Sequence, residues 1–432
     1  IRRIEQIDSE YSQCFRPYSL SEIILFIEGI AHTDDTNQFQ PNRNDKVKAQ
    51  SGRIRYIKTT IKCARKIADV MGKKTSEFEE YFSNKITKNY TLMVNSGSSA
   101  NLLIFQCLIN PLVKRLKIGD EILIPAICWS TSLWPIIQSG LKVKFVDVDL
   151  DTFNIDLNDL KKKISNKSKA LMLVHALGNC ADMSEILKIC KKNKLILLED
   201  ACEALGSKHK NKFLGTFGEF SSFSFYYSHH ITSGEGGMIT VKNKKYYNII
   251  KTLRSHGWSR ELNNKKSSKK NNKNWSFINS GFNLRPTDIN SAIGLQQLKR
   301  LNKILNIRKK NFNTIRKALL KNKMCSKKFN IIKENKKNQI FWFGIPITLK
   351  NNNYNYKLNV IKKLNNMGIE TRPLISGNFA NQPSIKLYKI KVHGDLKNAN
   401  LIDRNSFFIG IHNKIIDSKK LNYLVKTFNN SI

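Results

Sequence analysis

Three stretches of this chain carry side chains that could bind an anionic group and transfer a proton. Residues 96–99, reading SGSS, follow an apolar strand and open a helix, where backbone N–H groups and hydroxyls suit a phosphate. Glu199 and Asp200 stand at the end of another apolar strand, and His229 follows the aromatic stretch SFSFYY. An imidazole, with an ordinary pKa of about 6.5, can carry protons near neutral pH. Phosphate binding and acid–base chemistry are therefore the functions to weigh.

Each stretch also has an ordinary structural interpretation. A serine at 96–99 could be a simple helix N-cap, and Asp200 could cap the helix that follows it. A lone histidine on an aromatic strand is more often structural than catalytic. No stretch decides the matter alone, so the functional interpretation depends on how several motifs combine.

Strands and helices alternate around these residues. This alternation predicts an α/β fold with a mostly parallel central sheet covered by helices on both faces. Ligands of such sheets bind beyond the carboxyl ends of the strands, which is where Glu199 and Asp200 stand. Strands are predicted at residues 121–125, 142–146, 170–174 and 195–198, with helices at 55–82, near Trp134 and at 183–190.

Composition excludes several broad classes. At 432 residues, with 41% hydrophobic residues, the chain can bury a large core. No apolar run reaches the roughly 18 residues of a membrane span, and no secretion signal is apparent, so we expect a cytoplasmic protein without a membrane partner. The eight cysteines form no CxxC pair, which favours buried free thiols and predicts no metal site.

The net charge of +41 would ordinarily indicate a nucleic-acid or membrane partner. Lysine, however, is spread through nearly every polar segment together with asparagine and isoleucine, which indicates a compositional bias. Charge alone supplies only nonspecific affinity for nucleic acid. We therefore do not expect a nucleic-acid partner, and expect the positive field to favour small anionic substrates.

Four segments stand out by their order and spacing. They are residues 95–103 (NSGSSANLL), 199–207 (EDACEALGS), 222–237 (SFSFYYSHHITSGEGG) and 281–298 (GFNLRPTDINSAIGLQQL). They resemble motifs of the DegT/DnrJ/EryC1/StrS sugar-nucleotide aminotransferase family, which has fold type I of the pyridoxal 5'-phosphate (PLP) enzymes. The resemblance covers residue 73 to the end, and four motifs in agreement are far more specific than one.

In most of that family, a lysine stands where this chain has His229. A lysine amine can form a Schiff base with the PLP aldehyde, whereas an imidazole cannot. Histidine here is typical of the family's deoxygenating branch, some members of which hold an iron–sulfur cluster on loop cysteines. The matching loop, residues 259–277, has no cysteine, so we expect no cluster. Four further segments of this chain resemble that branch: residues 128–135 (CWSTSLWP), 254–258 (RSHGW), 341–349 (FWFGIPITL) and 370–379 (ETRPLISGNF).

The resemblance assigns four residues to the cofactor phosphate. Gly97, Ser98 and Ser224 would hold it within one subunit, and Asn283 would reach it from a neighbouring subunit. A homodimer is therefore expected.

Three further residues are assigned to the cofactor ring. Trp129 would stack on the pyridine, and its structural interpretation is a core tryptophan. Asp200 would pair with the ring nitrogen and make the ring a better electron sink. Glu203 would lie near the ring hydroxyl, where aminotransferases of the family usually have glutamine.

His229 would be the base, because its position within the motif outweighs the structural interpretation. The adjacent His230 would point to the opposite side if the backbone is extended there. Arg372 could clamp a carboxylate or phosphate with its planar fork, or form a structural ion pair.

The resemblance also implies three parts of the chain. Residues 1–80 would form an N-terminal arm with helices, residues 81–300 the large PLP-binding domain, and residues 301–432 a smaller α+β domain that closes over the cofactor.

The implied reaction removes the carbon-3 hydroxyl of a nucleotide-linked 4-keto-6-deoxyhexose that resembles GDP-4-keto-6-deoxymannose. L-Glutamate would convert the cofactor to pyridoxamine 5'-phosphate (PMP), and the product would serve 3,6-dideoxysugar, colitose-type O-antigen synthesis for lipopolysaccharide. The alternatives are a sugar-nucleotide aminotransferase and a cluster-dependent dehydratase for a CDP-linked sugar. A non-catalytic basic binding protein is the remaining alternative.

Overall fold

The computed structural model describes residues 70–262, 276–332 and 338–432. Its strands fall into three sheets, and each strand is short. In chain order they are β1 (Tyr90–Val94), β2 (Glu121–Pro125), β3 (Lys142–Val146), β4 (Ser168–Val174), β5 (Ile196–Asp200), β6 (Lys208–His209), β7 (Lys212–Phe213), β8 (Phe220–Ser224), β9 (Gly237–Val241), β10 (Phe329–Asn330), β11 (Asn338–Gln339), β12 (Gly344–Leu349), β13 (Thr371–Pro373) and β14 (Ser406–Gly410).

The largest sheet has seven strands in the order β1-β9-β8-β5-β4-β2-β3. Strand β9 runs antiparallel to both of its neighbours, and the pairs from β8 to β3 are all parallel. The predicted mostly parallel sheet is thus confirmed. Buried strands without alternating polar residues, such as EILIP and the start of ILLED, are typical of a sheet covered on both faces.

The helices begin at residues that favour helix starts. Side-chain oxygens of Ser96, Asp156, Asp182 and Thr287 accept hydrogen bonds from the first-turn N–H groups of four of them. In chain order the helices are α1 (Lys73–Phe82), α2 (Gly97–Leu108), α3 (Ser130–Gln138), α4 (Leu157–Lys163), α5 (Met183–Lys192), α6 (Lys244–Arg254), α7 (Asp288–Lys299), α8 (Leu301–Lys321), α9 (Lys323–Lys328), α10 (Tyr354–Asn366), α11 (Pro383–Leu387), α12 (Lys397–Asn405) and α13 (Ser418–Ser431).

The C-terminal part contains a separate antiparallel sheet, in the order β10-β12-β14-β13. Helix α13 packs on α10 and α8, and α12 packs on β14. This arrangement agrees with the expected α+β architecture. The boundaries placed at residues 80 and 300 stay predictions.

Aromatic side chains fill the centre of the large sheet's core. The Phe82 ring is fully buried and lies 5.0 Å from that of Phe223 and 5.8 Å from that of Phe225, while Phe78 lies 5.1 Å from Phe225. Helix α1 is therefore fastened to β8 and to the residue after it. It brings the N-terminal side of the described chain against the strand that leads to His229.

Two sequence predictions need correction. The predicted helix is not continuous over 55–82, because Val70 pairs with Thr287 in a β-bridge and Met71 has a left-handed φ of 56°. Only Lys73–Phe82 is helical there, and residues 55–69 lie outside the described ranges. The strand predicted at 195–198 extends to Asp200, so both carboxylates belong to the strand itself.

Two other expectations concern the loop without cysteines and the absence of a membrane span. Most of the cysteine-free loop 259–277 lies outside the described residues. Within the described ranges, no helix combines the length and the apolar character needed to cross a bilayer.

Replacing Phe82 by alanine should lower the free energy of unfolding by about 3 to 5 kcal/mol, because the substitution leaves a cavity among buried rings. Leu387 is 76% exposed, so Leu387→Ala should change stability by less than about 0.5 kcal/mol. Urea denaturation followed by circular dichroism measures both. Equal losses in the two variants would contradict the described packing of α1.

Candidate active site

A cavity of about 500 Å³ opens beside the carboxyl ends of three strands of the large sheet. The strand-end residues Val174, Asp200 and Ser224 all line it. Phe343 and Phe408, from around β12 and β14 of the C-terminal sheet, line another side. The cavity therefore occupies the place where a mainly parallel sheet binds its ligands.

The serine turn forms one end of the cavity. Ser96 is the N-cap of α2, since its Oγ accepts a 3.1 Å hydrogen bond from the Ser99 N–H, so the N-cap interpretation is correct. Gly97 and Ser98 line the cavity as well. A Cβ on Gly97 would lie only 2.7 Å from the Cβ of Ser224, so the absence of a side chain is what lets α2 approach β8.

Gly237 makes a second close approach in the same place. A Cβ there would lie 2.3 Å from the carbonyl oxygen of Ser96, and the residue pairs with both Val94 and Ser224. Two glycines thus hold the ends of β1, β9 and β8 together under the N-terminus of α2. The result is a small concave surface of N–H groups and hydroxyls at a positive helix end.

Asp200 is 5% exposed and does not cap a helix. Its Oδ2 accepts hydrogen bonds from Asn101 Nδ2 at 2.8 Å and Ser132 Oγ at 2.7 Å, and its Oδ1 accepts one from the Cys202 N–H at 3.1 Å. These donors come from α2, α3 and the turn after β5. The carboxylate is therefore fixed at the cavity wall by neutral groups.

Glu203 lies close by in a different environment. Its Oε2 accepts a 2.8 Å hydrogen bond from the Leu177 N–H. Burial raises the pKa of Glu203 to about 8, an effect that the Leu177 N–H opposes. The carboxyl group is therefore mostly protonated at neutral pH and can donate a hydrogen bond into the cavity.

The His229 imidazole lines the same cavity as these acids. Its ring centroid lies 5.2 Å from that of Phe343, and its Nδ1 is buried without a hydrogen-bond partner. Nε2 is thus the nitrogen left to face the cavity. Burial lowers the pKa of His229 to about 4, with the nearby charge of Asp200 acting in the opposite direction and that of Arg308 in the same one. The imidazole is neutral at physiological pH and can accept a proton.

The backbone around this histidine is a turn rather than an extended strand. β8 ends at Ser224, and the His229 N–H donates to the Tyr226 carbonyl at 3.0 Å. His230 nevertheless faces away, because its Nε2 donates to the Phe341 carbonyl oxygen at 2.8 Å. The expectation for His230 was correct in its direction, but its reason, an extended backbone, was wrong.

Trp129 and Arg372 lie at the more open side of the cavity. Trp129 is 56% exposed, which is too open for a core tryptophan. Arg372 lines the cavity and also pairs with Glu370, with Nη2 and Nε at 2.8 and 3.0 Å from the same carboxylate oxygen. Both interpretations offered for Arg372 are thus compatible with its position.

Asn283 is the one predicted site residue that does not line the cavity of its own chain. It is exposed, pairs with Ser255 in a β-bridge, and accepts a 2.9 Å hydrogen bond from Arg285 Nε. Its assigned contact with a neighbouring subunit's cofactor stays a prediction.

Sequence reasoning missed several residues of the cavity. Asn101 and Ser132 are fully buried polar residues on apolar helix faces, and that contrast was the available signal. Phe343 belongs to a segment that was noted only for its resemblance. No signal in the sequence identifies Tyr226, which lines the cavity mouth two residues after β8.

This chain belongs to the DegT/DnrJ/EryC1/StrS aminotransferase family, whose model matches residues 54–428. A GDP-4-keto-6-deoxy-D-mannose 3-dehydratase from Escherichia coli O55:H7 is 38% identical over 349 residues, covering 79% of this chain and 88% of that protein. The lipopolysaccharide biosynthesis protein RfbH of Salmonella typhimurium is 34% identical over 375 residues, covering 83% and 84% respectively.

Solved structures give the same result. The E. coli GDP-4-keto-6-deoxy-D-mannose-3-dehydratase with bound hydrated PLP has a TM-score of 0.77 at 36% identity, covering 83% of this chain and 92% of that one. A GDP-4-keto-6-deoxymannose-3-dehydratase with a trapped PLP-glutamate adduct has a TM-score of 0.77 at 35% identity, covering 83% and 93%. The predicted α/β class and the fold of the PLP-dependent family are confirmed.

The residues of the cavity fit PLP. The close approach of Gly97 to Ser224 brings the first N–H groups of α2 next to serine hydroxyls, which suits a phosphate. The buried carboxylate of Asp200 suits a protonated pyridine nitrogen, and the described lining includes His229 and no lysine.

Replacing Gly97 by alanine should weaken PLP binding at least about tenfold, because the new Cβ would push Ser224 out of the concave surface. Titration of the purified chain with PLP, followed by absorbance, measures the dissociation constant. Gly368→Ala serves as the control, since it strains a left-handed backbone that has open space around it and does not line the cavity. If both variants bind PLP alike, the phosphate does not lie at Gly97.

His229 should make stability depend on pH. Its folded-state pKa of about 4 lies below the unfolded value of about 6.5, so the unfolded chain takes up the proton first. Its contribution is fully present above pH 6.5 and is lost as the pH falls towards 4. The stability difference between wild type and His229→Asn should therefore shift by about 2 to 3 kcal/mol over this window in urea titrations. His230 is common to both proteins, so the difference reports the proton taken up by His229 together with the effect of its charge on His230. A pH-independent difference would contradict the buried, neutral imidazole.

Proposed function

We propose that this chain is a PLP-dependent dehydratase that removes the carbon-3 hydroxyl of a GDP-linked 4-keto-6-deoxyhexose, with L-glutamate as the amino donor. The observation that carries the proposal is the imidazole of His229, which faces the cavity shared by the serine turn and Asp200. The similarity to GDP-4-keto-6-deoxymannose 3-dehydratases supports the choice of sugar and nucleotide. The relation to a lipopolysaccharide biosynthesis protein supports a role in O-antigen dideoxysugar synthesis.

The cofactor phosphate would be held by Gly97, Ser98 and Ser224. Backbone N–H groups at the start of α2 point to that space, and the helix dipole favours a negative charge there. Ser98 is already positioned, because its Oγ donates to Thr131 Oγ1 at 2.9 Å. Binding therefore relies on preorganised neutral donors.

Trp129, Asp200 and Glu203 would hold the cofactor ring. Asp200 would keep the ring nitrogen protonated, because its negative charge has only neutral donors around it. The protonated Glu203 would donate a hydrogen bond towards the ring oxygen. The exposed indole of Trp129 offers a flat surface for stacking.

When bound, PLP supplies the carbonyl that takes the amino group from glutamate and an electron sink that stabilises negative charge next to the ring. His229 would accept a proton at Nε2 and return one after the carbon–oxygen bond at carbon 3 breaks. Its low pKa keeps the nitrogen free to accept that proton. A lysine could recapture the cofactor covalently and so favour a completed amino transfer. An imidazole cannot, so the nitrogen would be released as ammonia.

The overall reaction balances without an external reductant. Glutamate is oxidised to 2-oxoglutarate and loses its nitrogen as ammonia. The two electrons reduce carbon 3 of the sugar, whose hydroxyl leaves as water, and that water is used again when the nitrogen is released. No iron–sulfur cluster is needed in this scheme.

We also propose a homodimer, in which Asn283 reaches the cofactor phosphate of the neighbouring subunit. Its exposed position outside its own cavity supports this role. The cytoplasmic location expected from the sequence stays a prediction.

Incubation with L-glutamate, PLP and GDP-4-keto-6-deoxymannose should give a GDP-sugar lighter by one oxygen atom, with 2-oxoglutarate and ammonia in equal amounts. Mass spectrometry and coupled assays measure all three. His229→Asn should slow the reaction by roughly 10² to 10⁴-fold because the base is lost. His393→Asn, at an exposed position outside the cavity, should leave it unchanged. A GDP-linked amino sugar as the main product would instead favour the aminotransferase alternative.

A further inference from the structure

Residues 341–343 form a short segment that lies between helix α8 and His229. The segment precedes β12 and carries three aromatic side chains, Phe341, Trp342 and Phe343, all of them buried. Phe343 also lines the cavity. The position of this 341–343 segment therefore determines which ring packs against the imidazole of His229.

Arg308, on α8, holds the segment by its backbone. Nη2 of the guanidinium donates to the carbonyl oxygens of Trp342 at 3.1 Å and Phe343 at 2.7 Å. Nη1 donates to the Ile411 carbonyl at 2.8 Å and to Asn413 Oδ1 at 3.2 Å. The planar fork thus joins the start of β12 to the chain that follows β14.

Arg308 is a buried cation among neutral oxygens. It is 4% exposed, and burial lowers its pKa to about 10, so it remains charged at neutral pH. Burying a guanidinium is costly unless its donors are satisfied. A leucine or methionine here would leave the four oxygens that Arg308 binds without this donor, so the guanidinium is needed to hold the two chain segments together.

Two more contacts fix the segment. The Trp342 ring stacks on Phe312, four residues after Arg308 on the same helix, at 5.2 Å and 12°. On the opposite side, the Phe343 N–H donates to the Leu177 carbonyl at 2.9 Å. Leu177 is also the residue whose N–H binds Glu203. The segment therefore connects α8 with His229, through the Phe343 ring, and with Glu203, through Leu177.

Both histidines rest on this segment. The Phe343 ring lies 5.2 Å from the His229 ring and 6.3 Å from the His230 ring, and the Phe341 carbonyl accepts the His230 Nε2–H. Since His229 Nδ1 has no hydrogen-bond partner, its ring is oriented by packing alone. Within the described residues, the ring that packs against it is that of Phe343.

We infer that Arg308 is a positioning residue for His229, acting through the backbone of the 341–343 segment and the ring of Phe343. This inference rests on the proposed function only in taking His229 as the proton carrier. A lysine could keep the charge, but its single ammonium cannot span carbonyls of two chain segments. Small displacements of a catalytic group cost rate rather than cofactor affinity.

The test compares Arg308→Lys with Arg316→Lys. Arg316 lies on the same helix and donates to the Ile332 carbonyl, away from the segment. Spectra of the chain labelled with ¹³C-histidine, assigned with His229→Asn, should show a shifted His229 resonance in Arg308→Lys only. With glutamate and the GDP-sugar, Arg308→Lys should lower kcat on the order of 10- to 100-fold while the PLP dissociation constant stays unchanged.

A double-mutant cycle with Phe343→Leu separates positioning from general destabilisation. If Arg308 acts through Phe343, Arg308→Lys should lower kcat much less in the Phe343→Leu background than in the wild type. Equal losses in both backgrounds, or an unshifted His229 resonance, would overturn the inference. The resonance is read without substrate, so an inactive wild type would refute the proposed function and leave this test intact.

Should Arg308→Lys fail to fold, Phe312→Leu gives a second test. It loosens Trp342 from α8 without leaving a polar group unsatisfied. The His229 resonance should then shift in the same way. A folded Phe312→Leu protein with an unchanged His229 resonance would overturn the inference.

Discussion

The burial of one carboxylate at the end of a central strand organises this cavity. Removing the charge of Asp200 from water costs several kcal/mol unless hydrogen bonds replace the hydration, and each bond to a charged group returns about 1.5 to 3 kcal/mol. Asn101, Ser132 and the Cys202 N–H supply three such bonds. Helices α2 and α3 must therefore start where they do, and their starts also form the serine turn and present Trp129. A requirement of the core thus fixes the geometry of the site.

Three neighbouring carboxyl groups, those of Glu199, Asp200 and Glu203, differ in their hydrogen-bond donors and therefore in what they can do. Glu199 precedes Asp200 on β5 and so points to the other face of the sheet, where His175 lies 2.9 Å away. Burial would raise the pKa of Glu199, but His175 and the N–H groups of Gly218 and Gly215 bring it below its ordinary value. Glu203 has one N–H donor and keeps a raised pKa. The difference in donors makes Glu199 a structural anion and Glu203 a potential hydrogen-bond donor.

The sequence was sufficient for the sheet and for much of the site because the signals were local. Glycine and serine after a strand, and carboxylates at a strand end, follow from backbone rules that hold within a few residues. It was insufficient where the outcome depended on distant packing. The turn at His229 exists because β8 ends at Ser224, and the ring is held by Phe343, more than 100 residues later. The break at Val70 likewise depends on Thr287, which no local periodicity could reveal.

The large positive charge of the chain does not extend into the cavity. The described lining contains the carboxyl groups of Asp200, Glu203 and Glu235, against Arg372 as its cationic side chain, and Arg372 already holds Glu370. An anionic cofactor must then be bound by N–H groups and hydroxyls at the start of α2, whose strength is local and little affected by surface charge. The lysines can raise the rate at which anionic ligands arrive, since long-range fields act on encounter. The strength of cofactor binding and the charge composition of the chain are therefore separate properties.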